Sequence, residues 1–117
     1  MPNTQTVARA IVAIGYALYN KRYSFSVTPA GDQRYTYNLE SKNDAYLKLN
    51  ESPGYPIEIN LSTPSRGIIK YYGSEVAEIT MSGSSGYAQD RQNSVTYPSI
   101  SFSSSTIQLG NLSFQIS

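Results

Sequence analysis

The chain contains no histidine, no cysteine and no tryptophan, and only 15% of its 117 residues are charged. Without histidine there is no serine and histidine catalytic pair, and without cysteine there are no disulfides and no thiol chemistry. A metal site would have to use oxygen ligands alone, yet no aspartate-rich loop of the calcium-binding type is present. These absences disfavour catalysis and metal binding, and we predict no cofactor and no metal.

The charge balance is close to neutral. Nine Lys and Arg residues against eight Asp and Glu residues give a net charge of +1, which is too weak to attract a nucleic-acid backbone or an anionic membrane. Hydroxyl and amide side chains are abundant instead, and there are 11 tyrosines. Such a composition is typical of secreted, cell-surface and phage structural proteins, and nucleic acid is not an expected partner.

A change of hydrophobic period near Tyr23 divides the chain. Before it, apolar residues recur at the spacing of three and four that lays them along one stripe of a helix. These residues are Val7, Ile11, Ile14 and Leu18. We predict a helix from about residue 4 to residue 21, capped by Asn3 or Thr4. The opposite side is only weakly polar, which predicts that more than one face of the helix is covered. That side carries Gln5, Arg9, Tyr16 and Asn20.

From Tyr23 onward apolar and polar residues alternate, which predicts β-strands. Strands at 23–27 and 35–39, joined by a turn at 29–32, form the clearest hairpin. Further strands are predicted at 45–49, 57–61, 68–72, 76–81, 94–97, 99–102, 106–109 and 112–116, with an irregular stretch at 82–93. Residues 92–117 carry no charge, so their strands should be paired within the domain or with a neighbouring subunit, because an exposed uncharged edge aggregates.

These elements predict a single α+β domain over residues 1–117, with one N-terminal helix packed on antiparallel sheet. The helix occupies about 4–21 and the β-rich region 23–117. Strand residues expected in the core are Phe25, Val27, Leu39, Ile57, Ile59, Ile79, Phe102 and Phe114. The tyrosines of the first hairpin share the core-facing phase of their strands and are expected to pack there as well. They are Tyr23, Tyr35 and Tyr37.

Other tyrosines are candidates for surface binding, because an exposed aromatic ring stacks on sugars or bases. Tyr55 and Tyr87 fall in predicted loops, and Tyr71 and Tyr72 point to opposite faces of a strand, so that only one of them is buried. We therefore identify Tyr55, Tyr72 and Tyr87 as the candidate binding residues.

Glu58, Glu75 and Glu78 are the candidates for acid and base chemistry. A glycosidase would need two carboxylates at a defined separation in space. No aromatic-flanked acid cluster accompanies these residues, so we interpret them as exposed strand residues and predict that the protein is not an enzyme.

The alanine-rich segment Ala10–Arg22, which runs directly into the alternating segment Tyr23–Val27, resembles the soluble part of type IV pilin-like proteins. The resemblance is to the minor pilins and minor pseudopilins, and it lies in the layout of the whole chain. It implies a pilin-like fold in which the second half of a long helix packs on a β domain. The membrane-inserted first half of that helix would then lie upstream of Met1.

The resemblance implies a non-catalytic structural subunit of a pilus or a secretion pseudopilus, with a role in filament assembly, cell adhesion or protein transport. Its partners would be other subunits of the filament, and glycans in an adhesive role, with membrane contact only through the missing stem. Its location would be the cell surface, the periplasm or the extracellular space. Two alternatives stay open, a phage or viral structural subunit in the virion and a small surface carbohydrate-binding β domain.

The helical stripe gives a first testable prediction. Substituting Ile14→Asp should bury an unpaired carboxylate against the sheet and unfold the domain, because an unpaired buried charge costs more free energy than a small domain can lose. Thermal unfolding followed by circular dichroism measures the effect. An unchanged melting temperature would show that the stripe is not part of the core.

Overall fold

The computed structural model describes residues 4–43, 46–51, 55–63, 65–71 and 73–117, and among them the chain forms one helix and ten strands. The helix, α1, spans Thr4–Asn20. The strands are β1 (Ser24–Pro29), β2 (Tyr35–Asn43), β3 (Tyr46–Glu51), β4 (Tyr55–Thr63), β5 (Arg66–Tyr71), β6 (Ser74–Ser82), β7 (Ser85–Asp90), β8 (Val95–Phe102), β9 (Thr106–Leu109) and β10 (Leu112–Ile116).

The strands form one closed antiparallel barrel. Each strand pairs with the next along the chain, and β10 pairs with β1 to close the wall, with Val27 opposite Ile116. The prediction of a pilin-like α+β fold, with one helix packed on antiparallel sheet, is therefore wrong. The expectation that the uncharged C-terminal strands are paired is confirmed, because β10 has β9 on one side and β1 on the other.

The helix lies inside this barrel, whereas the prediction placed it against one face of a sheet. Its residues are buried on every side from Val7 to Ala17, except for the half-buried Arg9. A barrel of about eight strands is filled by its own side chains, and a wider one leaves a lumen. A helix of 17 residues is about 25 Å long, and it runs through a molecule that measures 30 × 29 × 27 Å.

Small residues let the helix approach one side of the wall, formed by β6 to β9. Gly15 marks the closest approach, since a Cβ atom at this position would lie 2.4 Å from Cζ of Phe102 and 3.0 Å from Cδ1 of Ile79. Ala13 and Ala17 are also fully buried. The helix therefore lies off the barrel axis, against β6 and β8.

Aromatic rings fill the wider gap on the opposite side. The ring of Tyr16 packs on Phe25 of β1 with a centroid distance of 4.8 Å, and Phe25 in turn packs on Tyr37 of β2 at 6.3 Å. Tyr16 is fully buried, although the sequence pattern placed it on the weakly polar side of the helix. That side faces the barrel wall, so the prediction that more than one helical face is covered is confirmed.

The C-terminal end of the helix is fixed to the barrel rim by polar contacts. Lys21, at φ 53°, ends the helix in the left-handed region. The hydroxyl of Tyr16 donates to the carbonyl of Ser104 at 3.1 Å and accepts from the side-chain amide of Asn20 at 2.9 Å. The Arg22 guanidinium donates to the carbonyl of Ser117 at 3.2 Å. These bonds tie the helix to the β8–β9 turn and to the chain terminus.

Most of the predicted strands are confirmed, but β7 lies in the segment predicted to be irregular. Its inward positions are Gly86, Ala88 and Asp90, which give almost no hydrophobic alternation. Gly86 packs closely, since a Cβ atom there would lie 3.0 Å from Phe102 and 3.1 Å from Sδ of Met81. The two strands predicted at 94–97 and 99–102 are one strand, β8, because Pro98 is exposed on the outer wall beside an irregularity in the β7 register.

The predicted core is confirmed in its described members. Phe25, Val27, Leu39, Ile59, Ile79, Phe102 and Phe114 are all buried, together with Val7, Ile11 and Ile14 of the helix. The side chain of Ile57 lies outside the described part, and Leu18 is half-buried. The expectation for Tyr23 is wrong, because this residue precedes β1 at the rim and is 40% exposed.

The close approach at Gly15 gives a second prediction. Gly15→Ala should destabilise the fold by about 1–3 kcal/mol, because the new methyl group meets Phe102, and this strain exceeds the gain in helix propensity of about 1 kcal/mol. Chemical denaturation of the single variants and of Gly15→Ala combined with Phe102→Leu measures the coupling between the two residues.

The double variant should be more stable than the sum of the two single changes by about 1 kcal/mol or more. Gln5→Ala, on the exposed first turn, is the matched control and should stay within about 0.5 kcal/mol of the wild type. Additive effects would show that Gly15 and Phe102 are not in contact.

Candidate functional site

The outer wall of the barrel is divided by charge into two faces. The charged face is formed by β2 to β6, whose charged residues with described side chains are Glu40, Lys48, Glu58, Arg66, Lys70, Glu75 and Glu78. The uncharged face is formed by β7 to β10 and β1. These five strands contain one charged residue, Asp90, and its side chain is buried.

Opposite charges alternate across the charged face from strand to strand. Glu40 pairs in register with Lys48, Lys48 with Glu58, Glu58 with Lys70, and Lys70 with Glu75. Neighbouring residues of opposite sign on adjacent strands stabilise a sheet, whereas like charges destabilise it. This row therefore favours the observed register and is explained by the barrel itself.

A second group of charges joins the charged face to the turn after β7. Arg66 contacts Glu78 at 3.1 Å, and Arg91 contacts Glu78 at 3.1 Å and Glu75 at 3.3 Å. Because Glu75 and Glu78 are each held by arginine, they do not form the free pair of carboxylates that acid and base catalysis would need. Their interpretation as strand residues on the outer wall fits this geometry.

The uncharged face presents rows of hydroxyl and amide side chains. One row crosses β7 to β10 through Ser85, Ser101, Gln108 and Ser113, and another crosses β9, β10 and β1 through Thr106, Gln115 and Thr28. Between β1 and β2, neighbouring side chains form hydrogen bonds with each other. Ser24 Oγ donates to Asn38 Oδ1 at 2.7 Å, and the hydroxyls of Ser26 and Thr36 lie 3.2 Å apart.

Of the three candidate tyrosines, Tyr87 is the one whose exposure the structure defines. It lies in β7, not in a loop, opposite Thr80 of β6, and it is 43% exposed at the border between the two faces. The side chain of Tyr55, in β4, lies outside the described part, and so does Tyr72 as a whole. Because β5 and β6 separate β4 from β7, the fold does not bring Tyr55 and Tyr87 together on neighbouring strands.

Asp90 is the buried charged residue among those described, and the sequence patterns did not single it out. Its carboxylate accepts from the backbone N–H of Asn93 at 3.0 Å and from the Asn93 amide at 2.9 Å, which closes the turn between β7 and β8. Burial raises the pKa of the nearby Tyr97 hydroxyl, and the negative charge of Asp90 raises it further. The spacing from Asp90 to Asn93 is a turn pattern that could have revealed this residue.

A pocket of about 130 Å³ opens at the end of the barrel where α1 begins. It is lined by Gln5 and Arg9 of the helix, by Pro29, Ala30 and Asp32 at the end of β1, and by Leu112 and Phe114 of β10. Sequence reasoning could not find this pocket, because its lining residues come from three segments that barrel closure brings together.

A scan against known protein families and searches of curated proteins and of solved structures found no match to this chain. Among the residues described, no helix has both the length and the apolar character that a membrane crossing requires. The same residues contain no group of three or more potential ligands, counting His, Cys, Asp and Glu, that could hold a metal ion.

The Tyr97 environment predicts how stability depends on pH. Because the pKa is raised above 10.0 in the folded state, the unfolded chain ionises first, and folding loses stability as the pH rises through 10.0 toward the folded-state pKa. Tyr97→Phe removes this contribution. The free energy of unfolding of the wild type should therefore fall relative to that of Tyr97→Phe as the pH rises from neutral to above 10.0.

Urea denaturation of both proteins at several pH values measures this difference. Tyr87→Phe, on the outer wall, is the matched control for the loss of a tyrosine hydroxyl. A constant difference between the wild type and Tyr97→Phe across the same range would contradict the prediction.

Proposed function

We propose that this chain is a non-catalytic structural subunit that acts through its outer surface, and that the uncharged face contacts a second copy of the chain. The observation that carries this proposal is the combination of a filled interior with a wall divided by charge. The helix occupies the barrel lumen, so the outer wall is the largest surface available for recognition.

The composition of the uncharged face favours contact with protein. Charged groups lose much of their hydration free energy when an interface covers them, whereas hydroxyl and amide groups lose less and can pair across the interface. The cores of protein interfaces are accordingly depleted in Lys, Glu and Asp and enriched in tyrosine. Five adjacent strands with uncharged outer side chains, bordered by the exposed Tyr87, fit this composition.

The extent of the face is sufficient for a stable interface. A standard interface buries about 800 Å² on each partner, which is roughly an eighth of the chain's accessible surface of 5944 Å². The uncharged face includes five of the ten strands of the wall. It can therefore supply the required area without involving the charged face.

The geometry of the barrel favours association of one face with another. Every strand is paired on both sides, so addition of a strand to an open edge is not available to a partner. Two uncharged faces can pack across a two-fold axis, because such an interface uses the same patch on both copies. A second copy of the chain is the partner that is certain to present this composition.

The predicted role in a pilus or pseudopilus depended on a pilin-like fold, but the chain forms a closed barrel. What remains is the role of an assembly subunit, and with it the alternative of a phage or viral structural subunit. Location in a virion or at a cell surface stays a prediction that accompanies this role.

Sedimentation velocity over a range of protein concentrations tests the proposal. The wild type should associate at concentrations up to about 100 μM, and Gln108→Glu, which places a charge in the centre of the uncharged face, should weaken association by about tenfold or more. Asn60→Glu is the matched control, because Asn60 is exposed on β4 within the charged face, five strands away from β9 around the barrel, where the same charge should have little effect. A wild type that stays monomeric, or equal effects of the two variants, would contradict the proposal.

A glycan-binding role is the second candidate, and the exposed ring of Tyr87 favours it. A tyrosine on a sheet surface can stack on the apolar face of a sugar. A glycan array probed with the wild type, with Tyr87→Ala and with Gln108→Glu separates the two functions. Glycan binding that is lost in Tyr87→Ala, by a wild type that sediments as a monomer, would favour this second function.

A further inference from the structure

The two ends of the barrel differ in shape and in chemistry. One end, the pocket end, carries the pocket of about 130 Å³ where α1 begins. The other end, the linker end, carries residues 21–23, which join α1 to β1 and are all exposed. The helix between the two ends is about 25 Å long, in a molecule that measures 30 × 29 × 27 Å. The linker end therefore cannot contact the pocket end of its own chain.

The pocket end presents an apolar concave surface. Leu112 occupies an inward-facing position of β10, in phase with the buried Phe114, yet it is 46% exposed because it lies at the rim. Pro29 and Ala30 line the same pocket. Its volume is well below the roughly 300–1,000 Å³ of pockets that bind whole small molecules. The pocket is therefore of the scale of one side chain.

The acidic residue of the pocket lining is Asp32, on the exposed turn after β1. Its Oδ1 atom accepts from the backbone N–H of the following residue at 2.7 Å. An ionised carboxylate has about four lone-pair sites, so Asp32 can accept from a further donor. Arg9 also lines the pocket, but its guanidinium lies over the ring of Tyr35 and donates to Thr6, so it is engaged within its own chain. Arg34, in the same turn as Asp32, is not part of the described lining.

The linker end presents an aromatic ring beside a positive charge. Tyr23 is 40% exposed, and its backbone carbonyl accepts from the N–H of Leu39 at 2.7 Å, which fixes the backbone that carries the ring. Lys21 is exposed two residues earlier. Arg22 donates to the carbonyl of Ser117. The ring of Tyr23 and the ammonium group of Lys21 are thus the groups that this end offers to a partner.

We propose that copies of this chain stack end to end, with Tyr23 of one copy seated in the pocket of the next copy. The ring covers Leu112, and the ammonium group of Lys21 pairs with the carboxylate of Asp32. A buried tyrosine hydroxyl needs a hydrogen-bond partner, and the side-chain amide of Gln5 in the pocket lining supplies one. A second copy is the partner because the two ends complement each other in shape and in charge.

The symmetry of this contact decides what it builds. It joins the linker end of one copy to the pocket end of another, so it is heterologous, and each copy keeps one end free for the next. The product is a linear stack and not a closed dimer. The outer wall takes no part in the contact, so end-to-end stacking does not rest on the face-to-face association proposed above.

Two complementary variants test the proposal through their amide NMR spectra. Tyr23→Ala loses the ring but keeps the pocket, and Leu112→Ser alters the pocket but keeps the ring. Both also carry Gln108→Glu, which weakens face-to-face association. Titration of isotope-labelled Tyr23→Ala with unlabelled Leu112→Ser should give saturable shifts at the amides of Ala30, Asp32 and Leu112. The dissociation constant should be on the order of 1 mM, because one ring buries far less than a standard interface.

The reciprocal titration and two controls complete this experiment. Labelled Leu112→Ser with unlabelled Tyr23→Ala should shift the amides of residues 21–24. An unlabelled chain that carries both substitutions should shift neither labelled variant. Adding Tyr87→Ala to the unlabelled Leu112→Ser partner is the matched control, because it removes an exposed tyrosine from the outer wall, and it should leave binding unchanged.

The charge pair is tested by reversal. Lys21→Glu in the unlabelled partner should weaken binding by about fivefold, as expected for loss of an exposed ion pair. Asp32→Lys in the labelled chain should weaken it similarly, and the two reversals together should restore it. The spectra also report whether each variant is folded, and Asp32→Lys serves as the pocket variant if Leu112→Ser is not.

Three results would overturn the proposal. They are the absence of saturable shifts between the two complementary variants, equal shifts when the unlabelled partner also lacks Tyr23, and charge reversals at Lys21 and Asp32 that do not compensate each other. Because every chain in these titrations carries Gln108→Glu, failure of end-to-end stacking is distinct from failure of the face-to-face association.

Discussion

The packing of one helix inside a ten-stranded wall is the constraint on which the structure depends. A wall of ten strands encloses more space than its own inward side chains fill, and a segment of matching length must occupy that space. The chain solves this with a helix that is apolar on almost every side. The helix lies off-centre in the lumen. Gly15 allows close contact with the wall on one side, and the rings of Tyr16, Phe25 and Tyr37 fill the wider gap on the other side. Helix and wall therefore stabilise each other.

The same packing determines where recognition can take place. Other wide barrels use the lumen for ligands or for a channel, but here the protein's own helix occupies it. What remains is the outer wall and the two ends. At the C-terminal end of the helix, Tyr16 and Arg22 donate hydrogen bonds to the backbone carbonyls of Ser104 and Ser117 at the rim. At the other end the helix begins beside a pocket that carries Arg9 and Asp32.

The sequence predicted the helix, most strands and the described core residues, because these depend on local periodicity. It did not predict the barrel, since alternation along a strand is the same whether a sheet is open or closed, and no local pattern records the pairing of Val27 with Ile116. β7 was missed because Gly86 and Ala88 carry little hydrophobic signal. The pocket joins Arg9, Asp32 and Leu112 from distant parts of the chain, so it could not be inferred without the closing contact between β1 and β10.

Barrel closure also creates the uncharged face. Along the chain, charged strand residues are concentrated from β2 to β6, while β1 and β7 to β10 lie on either side of that region. In an open meander β1 would be nine strands away from β10, and the uncharged strands would form two separate patches at opposite edges. Pairing of β1 with β10 joins them into one continuous surface. The surface that we propose for assembly thus depends on closure of the barrel.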